Sequence, residues 1–114
     1  MYPQNTCLES EWKLFRKRVS VWQERYMGRL IEEYRAILES EESSSENFWA
    51  LEKRIRQDKK APGVIVDMRR STMRLELMQI LFQGVIQPID LEGFSQELRD
   101  GLTFVMQKYS GQGE

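Results

Sequence analysis

The chain reads as an all-α protein of four helices, with a long N-terminal helix packed against three shorter ones in a bundle-like, self-associating arrangement. Three observations carry this expectation. Apolar residues recur in steps of three and four along most of the sequence. Turn signals fall at only three internal places, "ESEESSSEN", "APG" and "VIQPID". The first periodic stretch is about twice as long as the others, and 114 residues suffice for one modest core but not for two independent ones.

The first helix is expected over residues 8 to 40. Leu8, Trp12, Phe15, Val19, Trp22 and Tyr26 alternate by four and three, and the stripe continues at Leu30, Tyr34 and Ile37. Two further steps of four after Tyr26, to Leu30 and to Tyr34, make a stutter, and Gly28 beside it, costing about 1 kcal/mol against alanine, predicts a bend or a close neighbour. At 1.5 Å per residue such a helix spans roughly 45 to 50 Å, more than three short helices cover. Its uncovered length calls for a second chain, so Trp12, Phe15, Val19, Trp22 and Tyr26 are the expected self-association seam of a homo-oligomer.

A second helix starts at Ser43 or Ser45, and Ser43 has capping-box spacing to Glu46. It should bury Phe48, Leu51 and Ile55 and end at Pro62, whose predecessor is disfavoured in helical geometry. Val64, Met68, Ser71, Leu75, Met78, Phe82 and Val85 then predict a third helix from residue 64, their periodicity outweighing the strand-like "VIV". Gly84 is its expected left-handed C-cap. A fourth helix, N-capped by Asp90, carries Leu91, Phe94, Leu98, Leu102, Val105 and Tyr109, with Gly93 and Gly101 as possible close crossings. The single domain is placed at residues 8–109, between flexible tails at 1–7 and 110–114.

Composition narrows the function classes. The chain has no histidine and one cysteine, Cys7, which removes the ordinary zinc sites and the usual base near neutral pH. No glycine-rich phosphate loop or nucleophile elbow occurs. The expectation is a non-enzymatic protein with no cofactor and no metal site, in which Cys7 is a bystander thiol or, less often, an intermolecular cross-link. No apolar run approaches the roughly 20 residues of a membrane span, and the N-terminus lacks a secretion signal, so no membrane association and a cytoplasmic location are expected.

Charge is segregated although the net value is only -1. Between Glu32 and Glu52 there are seven acids against Arg35; between Lys53 and Arg74 there are eight bases against Asp58 and Asp67. One reading is structural: an antiparallel second helix brings Arg54 and Arg56 to Glu32 and Glu33, each exposed pair contributing about 0 to 1 kcal/mol. The other is functional. Arg56, Lys59, Lys60, Arg69, Arg70 and Arg74 form one positive patch, with Trp49 as an exposed aromatic beside it, that meets an acidic protein or the phosphates of a nucleic acid. Lys13, Arg16, Lys17 and Arg18 form a second basic cluster on the first helix.

The stretches "FWALEKRIRQDKKAPGV", "MRRSTM" and "GVIQPIDLEGFSQEL" resemble small, uncharacterised helical proteins of Gram-positive bacteria and their mobile elements, over roughly residues 12 to 100. The resemblance implies a helical fold and brings no activity, cofactor or site residue. The functional expectation is a helical protein–protein interaction or regulatory module, homo-oligomeric and binding a protein partner. The alternatives are a nucleic-acid-binding regulator using residues 53–74, or a mobile-element-encoded inhibitor of a host protein.

Overall fold

A computed structural model describes residues 8–112. Four α-helices, α1 (Glu9–Leu38), α2 (Ser44–Asp58), α3 (Met73–Phe82) and α4 (Gln96–Gln112), are joined with 3-10 turns at Arg70–Thr72 and Pro88–Leu91. No strand occurs among the described residues, and no helix there is long and apolar enough to cross a membrane. The expected tail at 1–7, with Cys7, lies outside the described residues, while α4 runs to Gln112, into the segment expected as the other tail.

The first half of α1 supplies the centre of the core. Trp12, Phe15, Val19 and Trp22 lie on one face and pack against Met73, Leu77, Ile80 and Leu81 of α3, Val85, Ile86 and Leu91 of the connection, and Phe94, Leu98 and Leu102. Rings follow one another from Trp12 to Phe15 (5.9 Å between centroids), to Trp22 (6.5 Å) and to Phe94 (6.5 Å). Burying each such side chain stabilises by about 1.5 to 3 kcal/mol. This corrects the expected self-association seam: Trp12, Phe15, Val19 and Trp22 are consumed inside the chain, and Tyr26 is half-buried at the edge of the same core.

Buried polar groups tie the ends of the core together. Glu11, only 3% exposed, accepts hydrogen bonds from the Leu8 amide (3.3 Å), the Ser95 amide (3.3 Å) and the Ser95 hydroxyl. Ser95 in turn caps α4 by accepting from the Leu98 amide at 3.2 Å. One carboxylate therefore satisfies free amides at the starts of two helices that are far apart in sequence.

Two expected helix starts are displaced, each by a side-chain interaction. Residues 64–69 are not helical. The Val64 carbonyl accepts from Gln23 Nε2 (3.1 Å), and the Asp67 amide donates forward to buried Glu76 (2.7 Å), so that amide is withdrawn from helical pairing and α3 begins only at Met73. Asp90 caps a 3-10 turn rather than α4, accepting from the Gln87 amide at 2.8 Å. Gly93, at φ 99°, then reverses the chain before Ser95. Leu91 and Phe94 are buried as the stripe predicts, from outside the helix.

The connection from α3 is closed by glycine and arginine. Gly84, at φ 77°, ends α3 as expected, with the Val85 amide bonded to the Ile80 carbonyl (2.8 Å) and the Gly84 amide to that of Leu81 (3.1 Å), a Schellman arrangement. From α1, Arg29 donates to the Gly84 carbonyl (3.0 Å), Arg25 pairs with Asp90 (2.9 Å), and Arg18 donates to the carbonyls of Asp90 (3.1 Å) and Glu92. Burial alone would raise the Asp90 carboxyl, but hydrogen bonds from Arg25 and the Gln87 amide outweigh it and hold the group below its ordinary value. Beyond Arg29, α1 leaves this core and pairs with α2. The radius of gyration is accordingly 17.0 Å, against about 13 Å for a compact chain of this length. Helix α1 passes through Gly28 without a break, and a Cβ there or at Gly101 would touch nothing, so neither glycine marks a close crossing.

Two expected outcomes follow from this packing. Ser95→Ala should lower the stability measured by urea unfolding by about 1 to 2 kcal/mol, and Glu11→Ala by more, because it strands the Leu8 amide, the Ser95 amide and the Ser95 hydroxyl together. A Cβ at buried Gly63 would lie 2.3 Å from the Tyr26 ring, so Gly63→Ala should cost about 1 to 3 kcal/mol. Combined with Tyr26→Ala, it should cost less than the two single losses together; additive losses would show that the ring is not the obstacle.

Candidate interaction surface

The helical hairpin formed by α1 from Tyr26 onward and by α2 buries one apolar side chain, Leu30, and is held otherwise by polar contacts. Ser43 is the N-cap of α2, accepting from the Glu46 amide (3.2 Å) while Glu46 accepts from the Ser43 amide (3.3 Å). Asn47 Nδ2 reaches the Leu38 carbonyl (3.5 Å), Arg54 pairs with Glu33 and with Asp58 (3.0 Å), and the Tyr34 hydroxyl donates to Asp58 (2.7 Å). These bonds make Asn47, Leu51, Arg54 and Asp58, at helical steps of four, three and four, the side of α2 that faces α1. The antiparallel expectation holds for Arg54 with Glu33; Arg56 pairs instead with Glu52 on its own helix (2.9 Å), and Glu32 with Arg35 (3.6 Å).

That rotation corrects the expected burial of Phe48, Leu51 and Ile55. At about 100° per residue, Phe48 and Ile55 fall roughly a quarter-turn away from the side facing α1. No third helix reaches them: α2 buries no residue, Phe48 is 62% exposed, Ile55 is 37% exposed, and Leu51 is half-buried. On α1, Met27, Ile31 and Leu38 are likewise exposed, at 44%, 54% and 54%. Met27, Ile31, Tyr34, Ile55 and Lys59 line one groove of about 330 Å³, so the two exposed stripes share a face. Seven residues from Ile31 and from Ile55 respectively, Leu38 and Phe48 lie at the tip of the same face. Together these side chains make an apolar strip along the exposed side of the hairpin. Met27, Ile31 and Leu38 were missed in the sequence, although with Tyr34 they form a second four-three-four series alongside Leu30, Tyr34 and Ile37.

The residues assigned to one basic patch do not come together. Arg56, Lys59 and Lys60 lie at the root of the hairpin, where Lys59 lines the groove beside Met27. Segment 61–69 then carries the chain along α1, so that Arg70 meets Glu9 (3.1 Å) and lies 5.4 Å from the Trp12 ring. The fifteen residue steps of α1 from Trp12 to Met27 separate the two groups by about 20 Å. All six bases except half-buried Arg74 are exposed, yet Arg69 pairs with Asp67, Arg74 with Glu97 (2.9 Å), and Arg56 with Glu52. The Arg70 and Arg69 hydrogen bonds hold Glu9 and Asp67 below their ordinary values. Lys59 and Lys60 pair with no carboxylate among the described residues; Lys59 lines the groove of the apolar face, and Lys60, next to it at the root, lines a separate groove with Pro62, Met78 and Phe82. Trp49 is 63% exposed and sits edge-to-face on Phe48, 5.0 Å between centroids.

No three His, Cys, Asp or Glu side chains are arranged to hold a metal ion among the described residues. The chain matches no family model, no curated protein and no solved structure.

Tyr34 reports on the hairpin. Burial, then the hydrogen bond to Asp58, pushes its phenol from 10.0 up to about 12. The fold thus favours the neutral phenol, and this contribution is whole below pH 10 and lost as pH rises through 12. A titration followed by tyrosinate absorbance should contain a component near pH 12 that Tyr34→Phe removes; loss of a component near pH 10 instead would show that the contact with Asp58 does not form.

Proposed function

We propose that the protein is a non-enzymatic helical interaction module whose core serves as a base and whose α1–α2 hairpin is the docking element for a protein partner. One observation carries this reading: a 15-residue helix that buries none of its residues forms, with the second half of α1, a face bearing Met27, Ile31, Leu38, Phe48 and Ile55. Water-exposed apolar area of this kind is retained where a second surface covers it. Phe48 at the end of that strip, with Trp49 edge-to-face against it, supplies the aromatic side chains that interfaces favour. The polar bonding between the helices orients the face without filling it, which is what separates a docking surface from an unfinished core.

A photo-crosslinking side chain placed at Phe48 in cells that make the protein should give a discrete covalent adduct upon irradiation. The same chain carrying Ile31→Glu should give none, while its far-ultraviolet circular dichroism and melting temperature stay within a few degrees of the parent, because Ile31 is exposed in the single chain. A probe that yields no discrete adduct, or one insensitive to Ile31→Glu, overturns the assignment.

A further inference from the structure

We infer that the occupant of the hairpin face is the same face of a second copy of this chain, applied antiparallel about a two-fold axis. The inference rests on the reading of the hairpin as a docking surface and adds its partner and register.

The argument comes from how charge is distributed along the hairpin. Its tip, residues 39–46, carries Glu39, Glu41, Glu42 and Glu46 and no base. Its root carries Lys59 and Lys60, neither ion-paired among the described residues, against the single exposed acid Glu24 at that end of the groove. Glu46 is engaged in capping α2, which leaves three tip acids without a bonded base. A like-directed pairing of two hairpins sets acid on acid and base on base. An antiparallel pairing sets each acidic tip on the other copy's basic root, twice, because a two-fold interface repeats every contact with the roles exchanged.

The apolar strip fits that register. Along α1 its levels fall at Met27 with Lys59, at Ile31 with Ile55, at Tyr34 with Leu51, and at Leu38 with Phe48, about 5 Å apart. A two-fold axis through the middle of this series sets Leu38 and Phe48 of one copy over Met27 and Lys59 of the other, and Ile31 and Ile55 over Tyr34 and Leu51. Every level meets an apolar level, and the pair of hairpins becomes a four-helix bundle in which each two-helix layer supplies what the other lacks.

The test is sedimentation equilibrium of the purified full chain from about 1 to 200 µM, with two charge-reversed variants, E41K/E42K and K59E/K60E. The parent should be a dimer. Each variant alone should dimerise at least about tenfold more weakly, since tip and root then carry like charge. Mixed in equal amounts, the two should recover dimerisation as heterodimers, because a basic tip then meets an acidic root at one end and a basic root meets an acidic tip at the other; one chain carrying both reversals should recover it as well. A parallel register gives a different pattern, because the parent and the chain carrying both reversals then set like charge on like and dimerise no more tightly than either variant, with the mixture alone gaining, and that result overturns the inference. A parent that stays monomeric to 200 µM also overturns it. If the Phe48 probe then gives an adduct to a different protein, only the second-copy assignment fails; without any adduct, the docking reading fails with it.

Discussion

A single rigid helix of 30 residues, about 45 Å long, has to be served by three helices of 15, 10 and 17 residues. Everything else in the molecule follows from how that mismatch is resolved. The aromatic half of α1, with Trp12, Phe15 and Trp22 on one face, draws α3 and α4 onto itself because burial there removes the largest apolar area from water. What remains for the other half is α2, whose inward side of Asn47, Leu51, Arg54 and Asp58 is bonded by ions and amides more than by packing.

The two halves therefore rest on different physics. In the core, a fully buried Glu11 joins the starts of α1 and α4, and three arginines of α1 hold the 84–92 connection by its carbonyls and Asp90. These polar groups are satisfied from several directions, which fixes the connection in one geometry. In the hairpin, each exposed ion pair contributes little, and the orientation of α2 comes from several weak contacts acting together. The apolar side chains there are left pointing into solvent beside that orientation rather than into it.

The legible part of the sequence was the part decided locally. The length of α1, the Ser43 cap with Glu46 and the left-handed turn at Gly84 each depend on residues within one or two turns, and all were readable from spacing. The start of α3 was not, because it is set by an amide of Asp67 reaching Glu76, and periodicity carries no record of such a bond. Asp90 was read as a cap and is one, but of a 3-10 turn, since Gly93 intervenes before Ser95. The candidate site was legible only in its members. Lys59, Lys60 and Trp49 lie on or next to the exposed hairpin surface, while Arg69, Arg70 and Arg74 were separated from them by a non-helical path along α1 that the apolar pattern had made look helical. Phe48 and Ile55 carried a proper amphipathic signal; the signal identifies an apolar face and is silent on whether the covering surface belongs to the same chain.

The unbroken passage of α1 through Gly28 has a mechanical meaning. A helix clamped over its first half by aromatic packing and extending freely over its second behaves as a lever whose fulcrum is the edge of the core, near Tyr26 and Gly63. Because no loop interrupts the rod, a load applied at Leu38 or Phe48, about 20 Å beyond that fulcrum, would be delivered as a torque on Trp12, Phe15 and Trp22.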